Sequence, residues 1–290
     1  MRAEPPLPAL PAQTLRPLTL GRGAHVSAAS GLVCADGRAW VIADDLLHLA
    51  CFRDATRPGT LRRLLPGRLP REATARKAAK PDFECLFAWR DGLVALGSGS
   101  LPQRESGVWI TPGGVQRFDL AALYAPLRAR LGAINIEGAF VQDGQWVLLQ
   151  RGVAGGAPNA VARWPVQVRE RLLAGAQDAL APSSLHEMRL GALDGVALAF
   201  TDGTALASGH WLFTAAAEDT RDSVLDGACR GSALGIVDPQ GRTLAQRRLP
   251  GRCKVEGVAA QRAGDGTLML ALVTDGDDPT QPAWLLRAHW

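Results

Sequence analysis

Three glutamates and one aspartate recur along the chain at spacings typical of equivalent places in a repeated unit. Glu84, Glu137, Asp202 and Glu256 are separated by 53, 65 and 54 residues, and Ser30 stands 54 residues before Glu84. If these acids share one site, each charge raises the pKa of the others. Protons, a hard divalent cation or basic side chains could each compensate that charge. The pattern therefore predicts a site for Ca²⁺ or another divalent cation, an internal salt-bridge network, or simple capping of strand ends.

Five basic residues accompany the acids. Only three lysines occur in the chain, and two of them, Lys80 and Lys254, stand just before a repeated glutamate. Arg104, Arg151 and Arg230 lie in segments that lead to the same end of the repeated unit. Guanidinium groups bind carboxylate and phosphate oxygens in pairs. We therefore expect these five side chains to hold a small anionic ligand beside the four acids.

The acids belong to a longer repeat, which determines the expected fold. The stretch INIEGAF, for example, precedes the turn pair Asp143–Gly144 and the apolar strand QWVLLQ. Asp-Gly is a typical pair for a tight β-hairpin turn. Two further strand-like segments follow in each of the first four units, and one follows in the fifth. This count predicts an all-β, five-bladed β-propeller with four-stranded antiparallel blades. A β-sandwich with a second domain is the alternative, but it does not explain five copies in phase.

We interpret residues 1–290 as a single propeller domain. The fifth unit has three strands, and the segment TLRPLTL near the beginning of the chain supplies a fourth, so an N-terminal strand is expected to close the last blade. A helical pattern in the third unit is expected to form a surface insert at 167–183. The blades are expected near residues 22–57, 58–112, 113–166, 184–239, and 240–290 together with 14–20.

The glycine that follows Glu137 and Glu256 has a physical reason in this fold. The innermost strand of each blade lines the central channel, where five strands crowd together. A residue without a Cβ atom tolerates the close approach of another backbone. The repeated acids are therefore expected at the channel mouth, with Gly138 and Gly257 facing a neighbouring strand.

Composition excludes several other classes of protein. The net charge is +4 without a long basic run, which disfavours nucleic-acid binding. No run of 18 apolar residues or secretory signal is evident, so neither a membrane span nor export is expected. The five cysteines fit no zinc or disulfide pattern, which favours reduced thiols in the cytoplasm. No P-loop motif occurs, and we expect a monomer without an organic cofactor.

Several segments carry a resemblance to known proteins. The stretches IEGAF, KVEGVAA, AAAEDT and DGACRGSA resemble a family of uncharacterised bacterial β-propeller proteins, and the resemblance covers the whole chain. More distantly, the chain is similar to phytase-like and gluconolactonase/senescence-marker propellers, which place acidic residues at a channel mouth to hold calcium or another divalent ion. The resemblance implies the propeller, with Glu84, Glu137, Asp202 and Glu256 as metal ligands. Ser30 departs from the acidic pattern, and the catalytic residues stay unassigned.

Three functions are compatible with these observations. A divalent metal at the acids could activate water in a hydrolase that acts on a phosphoester or a lactone. The same channel mouth could bind a small anionic metabolite without chemistry. The acids could also be purely structural, in a propeller that serves as a protein-interaction scaffold.

Overall fold

Five separate antiparallel sheets make up most of the computed structural model, which describes residues 6–54, 56–153, 155–219 and 227–290. The innermost strand of each sheet contacts the innermost strand of the next, and the fifth contacts the first. This closed ring of sheets is the five-bladed β-propeller that the repeat predicts.

Each blade is built from strands that are consecutive in the chain, apart from one strand at the N-terminus. Blade one contains β2 (Ala29–Ala35), β3 (Arg38–Ala43), β4 (His48–Phe52) and β5 (Thr60–Arg63). Blade two contains β6 (Phe83–Trp89), β7 (Gly92–Gly97), β8 (Ser106–Thr111) and β9 (Gly114–Asp119). Blade three contains β10 (Ile136–Gln142), β11 (Gln145–Gln150), β12 (Ala160–Pro165) and β13 (Ser184–Glu187). Blade four contains β14 (Ala192–Leu193), β15 (Val196–Ala205), β16 (Trp211–Asp219), β17 (Ala228–Val237) and β18 (Thr243–Arg248). Blade five contains β19 (Lys254–Arg262), β20 (Leu268–Asp275), β21 (Trp284–His289) and β1 (Ala12–Pro17).

Tight turns join the innermost strand of a blade to its second strand. Asp36 and Gly37 have φ angles of 51° and 67°, and Asp143 and Gly144 have φ angles of 48° and 72°. Two consecutive residues with positive φ form the hairpin turn whose twist matches that of the strands. Asp and Gly are the residues that adopt this conformation most readily, so these pairs fix the register of the hairpins.

The hydrophobic core lies between neighbouring blades. The rings of Phe87 in blade two and Trp146 in blade three meet edge to face, with centroids 5.2 Å apart. Phe140 and Trp211 form a tilted ring contact between blades three and four, with centroids 5.6 Å apart. Each aromatic pair adds about 0.5–1.5 kcal/mol to the energy of the buried area. Side chains of this kind hold the blades side by side around the channel.

The N-terminal strand closes the ring, as the sequence predicts. β1 pairs antiparallel with β21, from Ala12 opposite Ala288 to Pro17 opposite Trp284. The predicted strand, 14–20, overlaps the observed one and extends three residues beyond its end. Leu10 and Leu18, on either side of β1, are completely buried, so this segment joins blade five through its core as well as through its backbone.

Helical segments and one additional strand depart from the predicted plan. Blade four has a fifth strand, β14, which forms a short hairpin with β15 through Asp194–Gly195. α1 (Ala73–Ala79) and α2 (Ala121–Leu131) lie in the connections that follow blades one and two. None of the helices in the described ranges is both long and apolar enough to span a membrane.

The segment 167–183, expected as a surface insert, is anchored in the core. It contains α3 (Val168–Leu173), which buries Val168 and Leu172 one helical turn apart. Leu180 is also buried, in the same hydrophobic cluster between blades two and three. One apolar face of the segment therefore extends the core, although its other face is exposed.

Candidate active site at the channel mouth

One residue in the innermost strand of every blade interrupts the regular pairing with the second strand. The pairing register shifts around each of these residues, which marks a β-bulge at the same place in all five blades. Bulges re-aim side chains and are common beside active sites. We call these residues the ring positions; they are Ser30, Glu84, Glu137, Thr201 and Glu256.

Asp202 is therefore not a member of the acidic ring, contrary to the position that the sequence suggests. Thr201 occupies the bulge, and Asp202 pairs with Thr214 in the regular ladder beyond it. A shift of one residue in a strand turns the side chain to the other face. Asp202 is almost completely buried, and its Oδ2 atom accepts a hydrogen bond from the Val258 amide at 2.8 Å. Burial raises its pKa well above the usual range.

The residue after each ring position lies against a neighbouring innermost strand. A Cβ atom added to Gly138 would lie 2.8 Å from the Cα atom of Asp202, and one added to Gly257 would lie 3.0 Å from the amide nitrogen of Leu32. Only glycine allows backbones to approach this closely. The expected role of these glycines is thus consistent with the geometry.

The two hydroxyl residues of the ring connect adjacent blades. Ser30 donates a hydrogen bond to the carbonyl of Phe83, the residue before Glu84. Thr201 donates one to the carbonyl of Val255, the residue before Glu256, at 2.6 Å. Both hydroxyls therefore link one ring position to the backbone of the next blade.

The three glutamates of the ring line a cavity at the channel mouth, which we call the funnel. Its volume is about 690 Å³, which lies within the range of small-molecule sites. Glu84, Glu137 and Glu256 contribute to its wall, together with four of the five basic residues predicted to bind a ligand: Lys80, Arg104, Arg151 and Lys254. The fifth, Arg230, does not line the funnel; it pairs with Asp219 at 3.1 Å and is half-exposed.

Two groups of ion pairs occupy the walls, and the first, the Lys80 cluster, consists of Asp44, Lys80, Asp82 and Arg104. Lys80 contacts Asp44 and lies 2.8 Å from Oδ1 of Asp82. The guanidinium of Arg104 lies 2.9 Å from the other oxygen of Asp82. The Arg104–Asp82 pair is buried and the Lys80–Asp44 pair is partly exposed, and each basic group already has an acidic partner.

The second group, the Lys254 cluster, contains Arg151 and Lys254 with several acids. The Lys254 Nζ atom lies 3.0 Å from Glu218 and 3.1 Å from Glu256, and Asp275 and Asp277 are within 4.0 Å. Arg151 contacts Glu218 and lies 3.4 Å from Oε1 of Glu137. The same Glu137 oxygen accepts a hydrogen bond from Asn135 at 2.6 Å.

Glu84 differs from the other carboxyl groups of the funnel. It makes no hydrogen bond or ion pair with any residue in the described ranges. Burial raises the pKa of Glu84 well above its usual range, and the charges of Glu137, Asp82 and Asp44 raise it further. Lys80 opposes these effects without reversing them. Glu84 is thus a carboxyl group that lines the cavity and whose surroundings favour its protonated form.

Several other acids of the funnel also have raised pKa values. Burial raises the pKa of Glu256 to about 8, although Lys254 and Arg151 favour its charged form. Burial likewise raises the pKa of Asp275 to about 8 and that of Asp44 to about 6. Neither oxygen of Glu256 has a hydrogen bond of good geometry, despite its ion pair with Lys254. Retained protons therefore neutralise part of the acidic excess.

Sequence reasoning missed two polar residues of this site. Asp82 joins Lys80 to Arg104, and Asn135 orients Glu137. Both stand two residues before a ring glutamate, directly ahead of the innermost strand. This spacing is the signal in the sequence that could have identified them.

Three carboxyl groups of the funnel provide donor atoms for a metal ion. Asp44, Asp82 and Glu84 each offer a carboxylate oxygen, and these oxygens lie within 4.8 Å of one another. Oxygen donors suit Ca²⁺. However, the ammonium group of Lys80 already pairs with Asp44 and Asp82, at the place that a cation would take. These residues fit a divalent ion in donor type, but only if Lys80 withdraws.

The chain belongs to a family of unknown function, DUF6929, whose model matches residues 25–289. No curated protein matches it by sequence. A glutaminyl cyclase from Myxococcus xanthus shares 13% identity over 98% of each chain, with a TM-score of 0.54. Regucalcin, a calcium-binding protein from Agrobacterium tumefaciens, shares 10% identity over 98% of this chain and 97% of its own, with a TM-score of 0.49. The first likeness supports the propeller fold, and neither bears on activity.

Proposed function

We propose that this propeller hydrolyses a small, uncharged lactone or carboxylic ester in the funnel, with Glu84 as the general acid. The observation that carries the proposal is the place of Glu84, which lines the cavity without a partner among the described residues and whose pKa burial raises well above its usual range. A carboxyl group that keeps its proton near neutral pH can donate it to a leaving oxygen. Strongly shifted pKa values in a cleft are typical of catalytic groups.

Glu137 is the proposed general base. Asn135 and Arg151 both contact Oε1 of Glu137, while Oε2 has no partner among the residues that the structure describes. In the proposed reaction, Oε2 accepts a proton from water as the water oxygen bonds to the substrate carbonyl carbon. The bond from that carbon to the ester oxygen then breaks, and Glu84 gives its proton to the departing oxygen. The proton on Glu137 returns to Glu84 through solvent, which completes the cycle.

The charges in the funnel favour a neutral substrate over a phosphoester. Lys80, Arg104, Arg151 and Lys254 are each paired with buried carboxylates, so a phosphate group would have to compete with those partners. A neutral ester needs only a proton donor and an activated water. The anionic ligand expected from the sequence stays a prediction, and it requires one of these ion pairs to open.

A substrate panel tests the proposal. Purified protein is assayed with lactones, phenyl esters and phenyl phosphates, alongside Glu84→Gln. The variant should lose about 100- to 10,000-fold in kcat on the best lactone or ester, because it can no longer donate a proton. Glu187→Gln, an exposed change on β13, is the control and should keep full activity. Turnover of phosphoesters alone, or unchanged activity of Glu84→Gln, would contradict the proposal. Binding of a ligand without turnover would instead favour a non-catalytic binding protein.

A divalent-cation site is the second candidate function, and the spacing of Asp44, Asp82 and Glu84 favours it. Lys80→Met would remove the ammonium group that pairs with two of these acids. If the three acids hold an ion, calorimetry should detect tighter Ca²⁺ binding to Lys80→Met than to the unchanged protein. Equal, undetectable binding by both proteins would leave the acids as an internal ion-pair network.

A further inference from the structure

An apolar recess opens from the funnel between blades three and four, and we call it the side chamber. Six partly exposed, uncharged residues line it, with the exposed Arg189 at its border: Val153, Ala157, Pro158, Met188, Val196 and Ala199. The side chamber is continuous with the acidic part of the funnel, so one molecule could contact both. Ion pairs alone do not require an apolar wall at this place.

An elaboration confined to blade four builds one wall of the side chamber. Its innermost strand, β15, begins at Val196, five residues before the ring position Thr201. The innermost strands of the other four blades begin only one or two residues before their ring positions. The additional residues of β15 and its hairpin with β14 therefore extend past the ring and supply Val196 and Ala199 to the chamber.

Residues 151–153 and 155–159, between β11 and β12, form the opposite wall, and Asn159 fixes them to blade four. The Asn159 Oδ1 atom accepts hydrogen bonds from the Gly152 amide at 2.8 Å and from the Phe200 amide at 3.0 Å. Its Nδ2 atom donates to the Leu198 carbonyl at 2.9 Å. The two walls are thus held together by one partly buried amide group.

We propose that the side chamber binds an aliphatic or aromatic tail of the substrate, while the ester group lies beside Glu84. The substrate class is then a lipophilic lactone or ester, an assignment that rests on the proposed hydrolase function. Moving apolar surface from water into such a recess is favourable by about 25 cal/mol per Å². The combination of a mostly apolar wall with a few convergent polar groups is typical of small-molecule sites.

A homologous series of lactones measures this contribution. From γ-butyrolactone to γ-dodecalactone, KM should fall by up to about fourfold for each added methylene group, which corresponds to about 0.8 kcal/mol. Val196→Asp places a charge in the chamber and Ala157→Phe fills it. Each variant should abolish the dependence on chain length, so that KM becomes the same across the series. Leu244→Asp, on the exposed face of β18, is the matched control and should keep the dependence.

Binding of Nile red, a neutral apolar dye, separates this inference from the proposed reaction. The unchanged protein and Glu84→Gln should bind the dye, long-chain lactones should displace it, and the two chamber variants should not bind it. Dye binding without hydrolysis of any lactone would overturn the proposed function and support the chamber. Hydrolysis that is independent of chain length, without dye binding, would overturn the chamber and support the function. Melting curves of both chamber variants verify that they are folded.

Discussion

The ring positions with hydroxyl groups and those with carboxyl groups share one backbone location but use it differently. Ser30 and Thr201 donate hydrogen bonds to the backbone of the next blade. In the described residues, Glu84, Glu137 and Glu256 form no such bond and line the funnel. The same β-bulge thus joins blades where the residue is short and presents an acid to the cavity where it is long.

This difference separates stability from function. A buried hydroxyl that is hydrogen-bonded contributes about 0.5–1.5 kcal/mol to folding. A buried carboxyl group instead costs free energy unless it is paired or keeps its proton. Glu84 has no hydrogen-bond or ion-pair partner among the residues that the structure describes, so folding gives no reason for its presence there. Unfavourable polar groups that line a cleft are expected where chemistry requires them.

The largest effect is expected in the Lys254 cluster, which includes the ring carboxyl group of Glu256. Lys254→Met removes one of the two cations that pair with Glu218, whose side chain is almost completely buried. Loss of one partner of a buried ion pair costs about 3–5 kcal/mol of unfolding free energy. Urea denaturation measures this change. Arg57→Met, which removes an exposed pair with Asp54, is the control and should cost less than about 1 kcal/mol. Equal losses in both variants would show that the Lys254 cluster has no special role.

The second prediction concerns pH. Glu256 and Asp275 keep their protons to about pH 8 in the folded protein but lose them near pH 4 when unfolded. The folded state therefore binds more protons between these values, and the unfolding free energy should fall as pH rises through this window. Each extra proton contributes a slope of about 1.4 kcal/mol per pH unit. Glu256→Gln should flatten the decline measured by urea denaturation, whereas Glu187→Gln should not. A stability that rises from pH 5 to pH 8 would contradict this account.

On the hydroxyl side, Thr201→Val should destabilise the protein without changing the chemistry of the funnel. The change keeps the shape of the side chain but leaves the Val255 carbonyl without its hydrogen bond. The expected loss is about 1–3 kcal/mol of unfolding free energy. Thr204→Val, three residues further along β15, is the matched control, because no described residue accepts a hydrogen bond from that hydroxyl. If Thr201→Val is fully folded but no longer hydrolyses lactones, the Thr201 hydroxyl takes part in the reaction, which would contradict this prediction.

The smallest effect is expected at Asp202, the acid that lies beside the ring. Burial raises the pKa of its carboxyl group well above the usual range, and Asn keeps an oxygen that can accept the hydrogen bond from the Val258 amide. Asp202→Asn should therefore change the unfolding free energy by less than about 1 kcal/mol, because it preserves this hydrogen bond. Hydrolysis should be unaffected. A large loss of activity would restore Asp202 to the site.

Sequence reasoning could establish the repeat, the five blades and the closing strand, because strand patterns and turn pairs are local signals. It predicted acids at three ring positions, Glu84, Glu137 and Glu256. In blade four it predicted Asp202, which lies one residue after the ring position. The cause is the pair Asp202–Gly203, which imitates the acid–glycine motif although Thr201 occupies the bulge. Ion-pair partners such as Asp82 depend on how loops return to the channel, and no local pattern specifies that path.

The ionisation state of Glu84 is the central claim, and a carbon-13 NMR titration of its side-chain carboxyl group tests it most directly. Comparison with Glu84→Gln assigns the resonance. We predict that this carboxyl group titrates well above the usual range of glutamate, so that it still holds its proton at neutral pH. Titration near pH 4.5 would show an ordinary ionised carboxylate, and Glu84 could then not serve as the general acid.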